Sequence, residues 1–122
     1  MASADTFTAV FNRLKPLLSA YAPHLECTAD TADNYWLNTH HIMKNRKPLF
    51  FGAVQIKKRY VSYHLMPVYV FPALLDELSA PLKRRMQGKS CFQFSQVDES
   101  LFTELQTLTA TGFARYREAG YV

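Results

Sequence analysis

Cysteines number two, glycines four, and no window holds eighteen consecutive apolar residues. The last absence predicts that no helix crosses a membrane. The first residues, MASADTF, have neither a basic stretch nor an apolar core, so no secretory signal is read there. Cys27 and Cys91 are far apart, and nothing in the sequence points to secretion. Both are expected to be reduced thiols, in a cytoplasmic protein. Acidic residues are outnumbered, ten against fourteen basic ones, for a net charge of +4. The positive charges fall in four separate places, so the balance permits an acidic partner without demanding one. No complete catalytic motif, internal repeat or low-complexity linker is found.

What is present reads as one domain over residues 1–122. The chain is 48% apolar and 20% charged, enough for a single core and too apolar for disorder. Residues 49–65, LFFGAVQIKKRYVSYHL, organise the rest. Two runs rich in aromatic and β-branched residues flank the basic corner Lys57-Lys58-Arg59, which predicts a hairpin. The first run is apolar on both faces, with Leu49, Phe51 and Ala53 on one and Phe50, Val54 and Ile56 on the other. Such a strand is expected to be covered on both sides.

Before the hairpin, residues 6–22 space Phe7, Val10, Phe11, Leu14, Leu17, Leu18 and Tyr21 as the stripe of an amphipathic helix. Asp5 or Thr6 is its expected cap, and Pro16 is expected to kink it or divide it in two. A short edge strand is read at 25–28, a second strand at 35–41 and a basic turn at 44–48. After the hairpin, residues 66–71 are expected to stay extended, with Pro67 and Pro72 keeping them out of a central position. Pro72 opens a short helix to 78, and Ser79 caps another that runs through LKRRMQ to Gly88. Residues 90–94 form a strand with Phe92 toward the core, and Asp98 caps a final helix. Strands grouped between terminal helices predict an α+β fold with an antiparallel sheet.

Candidate chemistry is sparse. His40, His41 and His64 are the available imidazoles, but adjacent histidines on a strand point to opposite faces. A zinc site also needs three or four gathered ligands, so no metal or other cofactor is expected. Cys91 lies near Lys89, which would favour a thiolate; a small buried strand residue is the expected role. Gln87-Gly88-Lys89-Ser90 lacks the first glycine of a phosphate loop and precedes a strand, so it is set aside. The basic turns at 44–47 and 57–59 lie beside aromatic residues, as in single-strand binders. Turns are also where solvated charge belongs and lysines guard sheet edges, so nucleic acid is not an expected partner.

Three blocks are similar to the YdhG-like family of domains of unknown function. They are Phe50-Phe51-Gly52-Ala53, then residues 60–67 (YVSYHLMP), then residues 82–94 (LKRRMQGKSCFQF). The resemblance covers roughly residues 7–116. It implies a small α+β domain with a curved antiparallel sheet and terminal helices packed on one face. Some members are described as frataxin-like, which implies iron chaperoning as the second reading. Iron binding of that kind depends on an acidic ridge over the first helix. Here that helix offers Asp5 beside Arg13 and Lys15, and Glu26, Asp30 and Asp33 come after it.

The expected function is therefore a non-catalytic binding domain, with a catalytic use of Cys91 or His64 as the last reading. In the second hairpin strand Val61, Tyr63 and Leu65 are the more apolar set and should face the helices. Tyr60, Ser62, His64 and Met66 should line the opposite face, where apolar walls and a few polar groups suit a pocket. Cys91 and Gln93 join that face if Phe92 and Phe94 point inward, and Lys89 is expected at its rim. A small ligand, a protein partner or a second copy of the chain is expected there.

Overall fold

The apolar stripe of the first helix fixes what lies beneath it. In the computed structural model, which describes residues 4–122 and side chains from Thr6 onward, helix α1 (Ala4–Ser19) buries Phe7, Val10, Phe11, Leu14 and Leu18. The helix includes Thr6, so Thr6 does not cap it, and the side chain of Asp5 lies outside the described residues. It also runs through Pro16 without dividing. Pro16 sits in the last turn, and both it and Asn12, whose carbonyl it deprives of an amide partner, are on the exposed side. A single 3-10 turn (Ala22–His24) then leads into the sheet.

Six antiparallel strands follow: β1 (Glu26–Asp30), β2 (Asn34–Ile42), β3 (Pro48–Ile56), β4 (Val61–Leu65), β5 (Met86–Gln87) and β6 (Cys91–Phe94). Their spatial order is β1-β2-β3-β4-β6-β5, so the expected central hairpin β3–β4 does stand at the middle. Register irregularities interrupt both the β1–β2 and the β2–β3 ladders. Bulges of this kind bend strands, and the sheet is curved.

One bulge overturns an expectation. Leu37 pairs with Gly52 and Asn38 with Phe50, leaving Phe51 as the extra residue. Phe51 and Gly52 therefore both turn toward the helices, and alternation restarts. Leu49, Phe51 and Val54 belong to the core and Ile56 packs against it, while Phe50 and Ala53 fall on the other face. Phe51 meets the rings of Tyr21, Phe113 and Tyr116. The second face of β3 is thus less apolar than strict alternation implied.

Residues 66–71 are not extended. Met66, at φ −61° and ψ −32°, has already left the strand region, and helix α2 (Pro67–Val70) begins with the proline in its first turn. A 3-10 turn (Pro72–Leu75) stands where a longer helix was expected. Ser79 caps α3 (Ala80–Lys83) by accepting from the Leu82 amide at 3.2 Å, and the Glu104 carboxylate holds Ser79 in turn. That helix stops well short of Gly88. Gln93 N–H donates to the Arg85 carbonyl at 2.8 Å, and the backbone is drawn into β5. Gly88, at φ +78°, serves the β5–β6 turn rather than a helix stop.

Asp98 caps α4 (Glu99–Glu118) by accepting from the Leu101 amide. Helices α1 and α4 pack together over one sheet face, and α2, α3 and the 3-10 turn at Pro72–Leu75 lie against α4. The core of Val61, Tyr63, Leu65, Phe92 and Phe94 sits between sheet and helices. An exposed ion pair of Arg13 with Glu99 links the two long helices.

Candidate functional site on the helix-free sheet face

Alternation along β4 is unbroken, and it assigns the faces. Tyr63 points at α4, its hydroxyl 2.6 Å from that of Thr109. Ser62 and His64 point away. The register then lays out two rows across the sheet: Trp36, Ala53, His64 and Cys91 in one, and Asn34, Gln55, Ser62 and Gln93 in the next. Phe50, beyond the bulge, stacks its ring on Trp36 with centroids 4.4 Å apart.

This face is closely packed despite lacking a helical cover. Ala53 and Ser62 are sealed by their neighbours, while Trp36, Phe50, Gln55, His64, Cys91 and Gln93 are half-buried. Amide side chains hold it in place: Gln55 Nε2 donates to Asn34 Oδ1 at 3.1 Å, and Trp36 Nε1 donates to Asn38 Oδ1 at 2.9 Å. Ser62 Oγ reaches only the Gln55 carbonyl, at 3.5 Å, a weak bond that leaves its lone pairs free. The larger hollows open elsewhere, one between the 3-10 turn at Pro72–Leu75 and α4, another between α2 and the β5–β6 turn. The face is a shallow polar-and-aromatic surface.

Of the expected site residues, Ser62, His64, Cys91 and Gln93 are brought together here. Tyr60 stands one residue outside β4, where its carbonyl accepts from the Lys57 amide at 2.8 Å. Two others are not brought there. Met66 packs against the core, because the strand ends at Leu65 and the alternation ends with it. Lys89 lies in the β5–β6 turn with its ammonium 5.8 Å from the Tyr69 ring centroid, beside the apolar hollow of Val68, Pro72, Leu75 and Met86. It is not at the rim of the sheet face.

His64 and Cys91 are direct cross-strand partners, a pairing that only the register reveals. Burial lowers the His64 pKa below 6.5, and the nearby Lys57 ammonium lowers it further. Burial also raises the Cys91 thiol, with Lys57 opposing. Near neutrality the pair is neutral imidazole and protonated thiol, not the ion pair of an activated nucleophile. Among the described residues no three of the histidine, cysteine, aspartate and glutamate side chains converge on a metal-sized site. His40 is exposed and separated from His64 by β3, while His41 lies against Tyr121 with ring centroids 4.8 Å apart.

Trp36, Phe50 and Lys57 were missed as site residues. Trp36 had a signal, since it alternates with Asn38 and His40 against the core positions Tyr35 and Leu37. Phe50 had one too, since it alternates with Leu49 and Phe51, but the bulge that turns Val54 and Ile56 away from it is a tertiary feature. Compared with known proteins, the chain matches no family model, no curated protein and no solved structure.

Proposed function

We propose that the chain is a binding domain of the YdhG-like kind that receives its ligand or partner on the helix-free face of the sheet. One observation carries this. All the helices pack on the Tyr63 side, yet the opposite side holds a stacked Trp36–Phe50 pair beside Ser62, His64, Cys91 and Gln93. Half-buried aromatics with a few hydrogen-bonding groups are what recognition surfaces use. Protonated Cys91 and neutral His64 suit hydrogen bonding better than nucleophilic attack, which favours binding over catalysis.

Trp36 is the sole tryptophan, so its emission reports on this face directly. In a thermal-shift screen across nucleotides, carboxylates and oligonucleotides, a compound that stabilises the fold is expected also to quench or shift Trp36 emission. Stabilising compounds that leave the emission unchanged, and whose amide NMR shifts map to the helical side, overturn the reading.

A further inference from the structure

We infer that the occupant of this face is single-stranded nucleic acid. The inference rests on the binding face proposed above and names its partner from charge and shape. The two turns that bracket β3 hold Lys44, Arg46 and Lys47 at one end and Lys57, Lys58 and Arg59 at the other, all exposed. Ion pairs among the described residues lie elsewhere, at Arg13–Glu99, Lys15–Asp30 and Arg115–Glu118. Six cations without carboxylate partners thus stand at the two ends of a nine-residue strand. At ~3.3 Å per residue they are separated by roughly 30 Å.

Between those ends the face is almost uncharged. Glu26, opposite Asn38 on edge strand β1, is the acidic residue that the register places on this side. The centre offers the Trp36–Phe50 stack, the amides of Gln55 and Gln93 and the neutral imidazole of His64. Cationic ends with an aromatic, amide-lined middle match a strand whose phosphates are charged and whose bases stack and hydrogen-bond. The sequence left these cations as solvated turn charge; the fold places the two triplets at opposite ends of β3.

A second copy fits less well. Two copies packed face to face with aligned strands bring one set of unpaired cations against another, whichever way they run, and like charges across an interface cost affinity. A small anion engages one end and leaves the other unused.

The test is a titration of the whole chain with a fluorescein-labelled oligouridylate and oligothymidylate of about a dozen nucleotides, a length within the reach of single-strand grooves. Anisotropy and Trp36 emission are read together. Binding is expected to quench Trp36 and to weaken steeply with added salt, as counterions return to the phosphates. A triple variant Lys57→Gln, Lys58→Gln, Arg59→Gln should bind at least about tenfold more weakly and with a shallower salt slope, and Phe50→Ala should lose about tenfold at an unchanged slope. Arg115→Gln with Arg117→Gln, which removes charge from the helical side, should bind as wild type. Circular dichroism melts confirm that each variant folds, and the triple variant alters only exposed turn positions. No binding at low salt overturns the inference, as does equal weakening by the Arg115 and Arg117 changes. If oligonucleotides fail while a nucleotide, a carboxylate or self-association quenches Trp36, the nucleic-acid inference falls and the binding face stands. If stabilising compounds leave Trp36 unmoved, both fall.

Discussion

The hydroxyl of Tyr63 on β4 and that of Thr109 on α4 share a 2.6 Å hydrogen bond, and both residues are fully buried. This bond ties the middle of the sheet to the long C-terminal helix. It also sets the direction of every other side chain on β4, because successive strand residues point to opposite faces. Ser62 and His64 face away from the helices because Tyr63 faces them. Burial raises the Tyr63 phenol above its usual range, so it stays protonated and able to hold this bond.

Thr109→Val removes the partner while nearly keeping its shape, leaving the Tyr63 hydroxyl buried and unpaired. A loss of about 1–3 kcal/mol is expected in urea unfolding. Replacing both partners, with Tyr63→Phe added, should recover part of it. A double variant no more stable than Thr109→Val alone shows that the bond matters less than the packing.

His64 titrates below 6.5, first because burial penalises its charged form and second because Lys57 lies near. The folded value is depressed relative to the unfolded one, so its contribution to stability is fully present above pH 6.5 and is lost as pH falls through the folded value. A proton NMR titration should place the His64 midpoint below 6.5, and Lys57→Gln should move it up toward 6.5. A wild-type midpoint at or above 6.5 refutes the assigned burial.

Gly52→Ala should destabilise the fold. A Cβ at this position meets Leu18 Cδ2 at 2.7 Å and the backbone oxygen of His64 at 3.0 Å. Leu18 is itself fully buried and the His64 oxygen belongs to the neighbouring strand, so neither yields easily. A cost of roughly 1–3 kcal/mol is expected for overpacking. A denaturant midpoint equal to wild type means that the bulge relaxes to admit the methyl group.

Iodoacetamide at mildly alkaline pH should modify Cys27 well before Cys91. Cys27 is exposed, whereas Cys91 is half-buried and its thiol is pushed up by desolvation. Peptide mapping over time gives the order of modification. Faster labelling of Cys91 indicates a thiolate activated by His64, and revives a catalytic reading.

Ferrous iron should leave the melting temperature unchanged. The first helix itself carries Arg13 and Lys15, paired with Glu99 and Asp30, which leaves little negative charge there for a hard cation. A rise of several degrees that a chelator reverses restores the iron-chaperone reading.

Much of this molecule is written in local pattern. The stripe of Phe7 through Tyr21 specifies an amphipathic helix, and Asp98 caps α4 as its position ahead of an apolar stripe indicates. Alternation in VSYHL places Ser62 and His64 opposite Tyr63, and Phe92 and Phe94 are core positions that turn Cys91 and Gln93 outward. These features are legible because helix and strand periods act over a few residues, and each residue's neighbours along the chain decide them. What joins the strands is not local. The pairing of His64 with Cys91 spans the whole α2–β5 segment, and Phe51 becomes a bulge because Leu37 seats on Gly52 beneath Leu18. Met66 turns inward because Pro67 starts a helix whose face meets Gly112, and Lys89 follows the unexpected strand β5 toward Tyr69. Register, bulges and strand ends are set by which side chains fit across a sheet and under a helix. Sequence therefore determined the faces of β4 and β6, and only the tertiary packing decided the faces of β3 and which residues meet across the sheet.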